Sequence, residues 1–175
     1  LCQRINQIMD FAVNTGLTEA NPLTRINSAF RPPEHKNLPS IPPSQLGDFL
    51  ETLRKANLRP TTRHLILWQL HTITRPVEAA ETKWIDLDFE KKTWTIPASR
   101  MKRRRDHSIP LSSGCIDILN SMRPISGHKE HVFTSELNPN KPTNSQTANM
   151  AIKRMGYGGT LVAHGLRSIA STALN

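Results

Sequence analysis

The chain contains few cysteines and no long hydrophobic run. Only two of its 175 residues are cysteines, Cys2 and Cys115, and they form no C-x-x-C pair. A disulfide-stapled secreted scaffold is therefore not expected, because two isolated thiols are typical of a reducing compartment such as the bacterial cytoplasm. No apolar run approaches the roughly 20 residues that a membrane-spanning helix needs, so we expect no membrane association.

Metal ligands and tyrosines are also scarce. The histidine pairs His64 and His71, and His128 and His131, have no cysteine or carboxylate ligands nearby at metal-binding spacing, so we predict no metal site. The single tyrosine, Tyr157, lies between two glycines. We expect it to be a loop or packing residue rather than a nucleophile.

What the chain has in excess is positive charge. It carries 23 Lys and Arg against 14 Asp and Glu, which gives a net charge of +9 and a pI of about 10.2. Such an excess favours an anionic partner, most simply nucleic acid. The hydrophobic fraction of 37% and the charged fraction of 21% indicate a globular fold rather than disorder.

Composition divides the chain into three parts. Apolar residues at helical spacing, followed by Gly16 as a stop signal, predict that residues 1–30 are the end of a helical domain. Residues 31–43 include five prolines, which can neither propagate a helix nor pair as a central strand, so we predict a linker there. Residues 44–175 then form the main domain.

The main domain reads as α+β, mostly helical with a small antiparallel sheet. We predict a helix capped by Ser44, a second from about Thr61 that buries Leu65, Trp68 and Ile73, and a short one at Pro76. Further helices are predicted over residues 113–122, 143–155 and from 164 to the end. Strands are predicted over residues 85–89, 93–97 and 107–111.

The first candidate site residue is Arg75, in the motif R-P-V-E. A partly buried guanidinium needs a carboxylate or phosphate to satisfy its donors, and Glu78 lies within local reach. The functional interpretation is an arginine that Glu78 holds so that its remaining N–H groups face a phosphate. The alternative is an ordinary structural ion pair, which this motif alone does not exclude.

A second candidate is the basic run in the loop between the last two predicted strands. Five of the six residues from 100 to 105 are basic, namely Arg100, Lys102, Arg103, Arg104 and Arg105. A charge run is often only a solvated face, but a hairpin tip can also reach into a DNA groove or an active site. Lysine additionally suits general-acid catalysis, since its ammonium group can release one proton.

A third candidate is the pair His164 and Arg167 in H-G-L-R. Their i, i+3 spacing places both on one face of the predicted last helix. The N-terminal end of that helix also favours a phosphate.

The order of these motifs resembles the tyrosine recombinase family, and in particular the phage and genomic-island integrases. The resemblance rests on R-P-V-E before K-W-I-D-L-D, R-M-K ahead of H-S-I-P-L-S, and then H-G-L-R, and it covers roughly residues 44–175. It implies the DNA breaking-rejoining fold and site-specific recombination that integrates a mobile element through a 3′-phosphotyrosyl intermediate. It further implies action on double-stranded DNA attachment sites, as a tetramer when full length, without a cofactor. Residues 1–30 look like the end of that family's core-binding domain.

The resemblance also implies a role for each candidate residue. Arg75 and Arg167 would clamp the non-bridging oxygens of the scissile phosphate, and Glu78 would orient Arg75. His164 would donate a hydrogen bond or shuttle a proton, and Lys102 would protonate the leaving 5′-oxygen. The neighbouring basic residues Arg100, Arg103, Arg104 and Arg105 would bind DNA.

One element of the family's pattern is missing. The sequence ends eight residues after Arg167, before the nucleophilic tyrosine and the further His or Trp that the family carries. We therefore expect this piece to bind DNA and cleave nothing. The alternatives that stay open are a non-catalytic basic DNA-binding module, a metal-dependent nuclease and a topoisomerase of related fold.

Overall fold

The computed structural model describes residues 1–30, 38–101 and 104–173, with residue 173 described by its backbone only. The chain divides into two compact units, Leu1–Asn37 and Leu38–Asn175. No helix in this described part is long and apolar enough to cross a membrane.

The first unit contains helix α1 (Cys2–Asn14) and a 3-10 turn (Ile26–Ala29). Helix α1 ends at Asn14, and the predicted stop signal Gly16 follows it with φ +74°. The Leu17 N–H bonds the Ala12 carbonyl at 2.8 Å and the Gly16 N–H bonds the Val13 carbonyl at 3.0 Å. This pair of bonds is a Schellman motif, which satisfies the last carbonyls of the helix. The origin of this unit in a core-binding domain stays a prediction.

The second unit is built around helix α3 (Pro60–Thr72), which packs against four other helices. These are α4 (Pro76–Ala80), α5 (Ser113–Ser126), α6 (Thr147–Ile152) and α7 (Gly165–Ala173). Leu65, Ile66 and Trp68 of α3 are completely buried by these neighbours. The Trp68 ring contacts Trp94 of the sheet at a centroid distance of 5.2 Å. Helix α2 (Leu46–Lys55) precedes α3 and buries Phe49 and Leu53.

The sheet has three short antiparallel strands in the order β1-β2-β3. They are β1 (Leu87–Asp88), β2 (Thr93–Ile96) and β3 (His107–Pro110). Trp94 pairs with Leu87 on one side and with Ile109 on the other. Alternate residues of β2 therefore face the core, with Trp94 and Ile96 buried. The predicted fold class, mostly helical with a small antiparallel sheet, is confirmed.

Several predicted details were wrong. Ser44 is not the cap of α2, because it lies inside a 3-10 turn (Pro43–Gln45) and α2 begins at Leu46 without a side-chain cap. Ile73 is only partly buried, since it ends α3 in the left-handed conformation with φ +54°. The strand predicted over 85–89 shrinks to two residues because a 3-10 turn (Trp84–Asp86) occupies its start.

Two helix boundaries also differ from the prediction. Helix α5 continues to Ser126 with Pro124 inside its last turn. Helix α6 is only six residues long, and a wide π-helical turn (Lys153–Tyr157) follows it. The ring of Tyr157 meets Phe49 edge-on at 5.2 Å, so its packing role is confirmed.

Candidate active site

Arg75 is the N-cap residue of α4, where Glu78 holds it from the first turn of the helix. One Glu78 carboxylate oxygen accepts the Arg75 backbone N–H at 2.9 Å, and the other accepts the guanidinium at 2.6 Å. The Glu78 side chain is 10% exposed, whereas that of Arg75 is 44% exposed. The carboxylate is therefore committed to Arg75, while part of the guanidinium remains open to an external anion.

The end of α3 fixes the position of Arg75. After Ile73 turns the chain, the buried hydroxyls of Thr72 and Thr74 lie 2.8 Å apart, and Thr72 also donates to the Trp68 carbonyl at 2.7 Å. Pro76 then occupies the first position of α4, where its missing N–H costs nothing. The T-I-T-R-P sequence thus anchors Arg75 to a rigid core helix.

His164 and Arg167 lie at the start of α7, as their spacing predicts. His164 directly precedes the helix, Arg167 lies in its first turn, and both are exposed. The Arg167 backbone N–H donates to the His164 carbonyl at 3.3 Å. Both side chains therefore come from one end of a helix that packs on α3.

Three contacts hold the loop that carries His164. The Asn149 side chain accepts the Ala163 N–H at 3.1 Å. The Pro39 carbonyl accepts the Val162 N–H at 3.2 Å, and the Ser40 hydroxyl donates to the Gly165 carbonyl at 3.0 Å. The loop is thus fastened to α6 on one side and to residues 39–40 on the other.

A cleft of about 270 Å³ connects the Arg75 and His164 regions. Its lining includes Pro76, which follows Arg75, together with His164, Asn149 and Gln146. Arg75 and Arg167 are not themselves lining residues. The start of α4 and the loop before α7 nevertheless border one open space, because both helices pack on α3.

The basic loop is described only in part, because Lys102 and Arg103 lie outside the described residues. Arg104 and Arg105 are exposed and adjoin the start of β3. Arg100 differs from them, since its guanidinium contacts the Asp86 carboxylate and donates to the Glu81 carbonyl at 3.0 Å.

The residues of the candidate site contain no visible metal centre. No group of three or more His, Cys, Asp or Glu side chains that could hold a metal ion occurs among residues 1–30, 38–101 and 104–173. The described candidate residues Arg75, His164 and Arg167 can supply positive charge, hydrogen-bond donors and the imidazole of His164.

Sequence reasoning missed Asn149, Ser40 and Gly165 as supports of the site. The i, i+3 and i, i+4 rules do not detect them, because their contacts join positions far apart in sequence. The prolines of residues 39–43 predict a linker, yet Ile41 is buried in the core of the second unit. Only the Gly165 of H-G-L-R gave a signal, as a glycine inside an otherwise helical pattern.

Comparison with known proteins agrees with this architecture. A model of the phage integrase family matches residues 39–175. The chain is 56% identical over its whole length to the prophage integrase IntA of Escherichia coli K12, of which it covers 42%. It is 31% identical to the integrase of Enterobacteria phage P4, over 99% of this chain and 43% of that protein. The chain thus spans less than half the length of these relatives.

Solved structures share the fold at low sequence identity. The Tn1549 transposon integrase in complex with transposon right-end DNA aligns with a TM-score of 0.77 and 14% identity, over 99% of this chain and 64% of that one. A lambda integrase dimer bound to a core site aligns with a TM-score of 0.72 and 17% identity, over 98% of this chain and 63% of that one. With the family match over most of its length, this chain belongs to the phage integrase family, and its predicted kinship with the tyrosine recombinases is confirmed.

Proposed function

We propose that the full-length protein containing this chain is a site-specific recombinase that integrates a mobile element at double-stranded DNA attachment sites. Its covalent intermediate is a 3′-phosphotyrosyl bond. The observation that carries this proposal is the shared cleft. In a chain of the phage integrase family, Pro76, which follows Arg75, and His164 line one open space.

In this proposal, Arg75, His164 and Arg167 bind one scissile phosphate. The support is that Glu78 holds Arg75 while leaving part of its guanidinium exposed, and that His164 and Arg167 share one end of α7. Phosphoryl transfer develops negative charge on the non-bridging oxygens. Each preorganised donor that meets this charge is typically worth about 3–4 kcal/mol of transition-state stabilisation.

The basic loop supplies the remaining groups. Lys102 protonates the leaving 5′-oxygen, and Arg103, Arg104 and Arg105 bind the DNA backbone. The exposure of Arg104 and Arg105 beside β3 supports this assignment. Backbone contacts of this kind give affinity that falls steeply with salt, because each one releases counterions.

The nucleophile lies outside this chain. Its single tyrosine, Tyr157, is packed against Phe49, so we expect the 175 residues alone not to cleave DNA, although their basic residues still bind it. We further propose that the full-length protein acts as a tetramer on DNA in the bacterial cytoplasm. A lambda integrase tetramer bound to a Holliday junction, which aligns with a TM-score of 0.70, supports this assembly.

Substitution of Lys102 separates a recombinase from a non-catalytic DNA-binding module. In the full-length protein, we expect Lys102→Ala to slow cleavage of attachment-site DNA by about 10²-fold or more at saturating protein, because a general acid is lost. Lys141→Ala serves as the control, since Lys141 is an exposed lysine outside the basic loop. Single-turnover cleavage and binding titrations measure the two effects.

A modified substrate sharpens this test. Sulfur in place of the 5′-bridging oxygen gives a leaving group that needs no proton, so it should restore cleavage by Lys102→Ala but not by variants of the phosphate-binding arginines. Normal cleavage by Lys102→Ala once it is bound would contradict the general-acid role of Lys102. If the unmodified full-length protein binds attachment-site DNA without cleaving it, and Lys102→Ala only weakens that binding, the binding-module interpretation replaces the recombinase. Cleavage that a metal chelator abolishes would indicate a nuclease instead.

A further inference from the structure

Arg100 differs from the other basic residues of its loop because its guanidinium is occupied inside the protein. One terminal nitrogen contacts the Asp86 carboxylate, and the other donates to the Glu81 carbonyl at 3.0 Å. Only 20% of the Arg100 side chain and 12% of the Asp86 side chain are exposed. Removing either member of such a partly buried pair leaves the other charge without its partner.

We propose that Arg100 is a positioning residue, which fixes the base of the basic loop to α4, the helix that Arg75 caps, and not a DNA phosphate ligand. This inference rests on the proposed function. It assigns Arg100 a task in the same reaction that differs from the direct DNA contact expected of the basic run.

The contacts of Arg100 show what it joins. It ends the 3-10 turn (Ala98–Arg100) that follows β2, while Glu81 is the residue that ends α4. A carbonyl at the end of a helix lacks an intrahelical partner, and an arginine donor satisfies it. Because Arg75 is the N-cap residue of α4, Arg100 ties the loop to the same five-residue helix that positions a proposed phosphate ligand.

The other end of the loop is also fixed. The Asp106 carboxylate accepts the Ala98 N–H at 2.7 Å and thereby closes the base of the loop. Between these two anchors, Arg104 and Arg105 are exposed and have no side-chain hydrogen bond or ion pair among the described residues. The basic residues therefore have different roles: Arg100 holds the loop, and Arg104 and Arg105 remain available for DNA.

The salt dependence of DNA binding distinguishes these roles. Each phosphate contact contributes about 0.9 to the slope of log K against log salt for duplex DNA. With the 175-residue chain and a nonspecific duplex, we expect Arg104→Gln and Arg105→Gln each to reduce the slope by about that amount. We expect Arg100→Gln to leave the slope unchanged. The two exposed arginines are the matched controls for loss of one charge.

Cleavage by the full-length protein gives the second readout. At saturating protein, Arg100→Gln should cleave attachment-site DNA at least about tenfold more slowly, because the loop is no longer held, and Arg100→Lys should recover part of the rate. Asp86→Asn should lower the rate in the same way although it removes no positive charge. It also provides the test if Arg100→Gln does not fold.

Two results would overturn the inference. One is a slope for Arg100→Gln that falls as much as that for Arg105→Gln, with cleavage restored simply by more protein. The other is wild-type cleavage by Asp86→Asn. Failure of the proposed function would look different from these two results. In that case the unmodified full-length protein would bind duplex DNA without cleaving any attachment site.

Discussion

At the scale of single residues, the close packing of residues 39–40 against the start of α7 depends on a glycine. A side-chain carbon at Gly165 would overlap the Pro39 carbonyl oxygen and would also crowd Leu161. The same carbonyl accepts the Val162 N–H, and Gly165 accepts a bond from Ser40. The glycine of H-G-L-R therefore allows residues 39–40 to lie directly against the start of α7, beside His164.

Gly165→Ala should destabilise the fold by about 1–3 kcal/mol, because the added methyl group forces residues 39–40 away from α7. Gly47→Ala is the matched control. Gly47 lies in the first turn of α2 with no atom within 4 Å of a built Cβ, so alanine there should be neutral or stabilising by up to about 1 kcal/mol. Urea unfolding measures both variants, and equal stability of Gly165→Ala and the wild type would contradict the packing argument.

Residue contacts differ in how far the sequence predicts them. The Arg75–Glu78 contact follows from local geometry, because residues i and i+3 meet at the start of a helix. The Asn149–Ala163 and Ser40–Gly165 bonds join positions 14 and 125 residues apart. No periodicity carries such information, so the supports of the site required the tertiary structure.

At the scale of elements, the segment after α5 contains a buried histidine. His131 is only 8% exposed, and its backbone forms an antiparallel β-bridge with that of Lys83. Its ring nitrogen Nδ1 has no hydrogen-bond partner among the described residues. Burial lowers the pKa of His131 below its ordinary value of 6.5. Glu130 and Glu81 oppose this effect, while Lys83 and Arg100 add to it. The neutral form is therefore the one that the fold favours.

The sign of the resulting pH dependence follows from that shift. With its pKa depressed in the folded state, His131 takes up a proton more readily when the chain is unfolded. Its contribution to stability is thus complete above pH 6.5 and is lost as the pH falls from that value through the folded pKa. We expect the unfolding free energy to decline as the pH falls below 6.5.

His131→Gln should flatten this decline, and His128→Gln should not. His128 is the matched control because it is an exposed histidine three residues away. Urea unfolding at several pH values measures the slope. An identical decline in the wild type and His131→Gln would show that other groups cause it.

Element boundaries show where pattern reasoning stops. Hydrophobic spacing located α2 and α5 because each buries an apolar stripe. Helix α3 was located by its apolar run, which is buried among several neighbouring helices. The π-helical turn after α6 and the 3-10 turn before β1 were missed. Wide and tight turns keep the same residue composition as the helices and strands they replace, so composition does not distinguish them.

At the scale of the whole molecule, motif order carried the family assignment. No single motif was specific, since R-x-x-E and H-x-x-R each have structural interpretations. Their order along the chain, from R-P-V-E through R-M-K to H-G-L-R, restricted the protein families that fit. The family match over residues 39–175 confirmed the assignment. That Pro76 of the first motif and His164 of the last line one cleft became visible only in the structure, because α4 and α7 pack on the same helix.

The proposal that Arg167 binds the scissile phosphate is the central claim, and covalent trapping tests it most directly. Full-length wild-type protein and Arg167→Ala are incubated with a nicked attachment-site duplex. Cleavage of this duplex releases a short DNA fragment that cannot be rejoined, so the 3′-phosphotyrosyl adduct accumulates. Arg54→Ala, which removes an exposed arginine paired with Glu51, is the control. We expect adduct formation by the wild type and the control. Arg167→Ala should be slower by about 10²-fold or more, with its Kd for DNA changed by no more than about threefold. Adduct formation by Arg167→Ala at the wild-type rate would contradict the account.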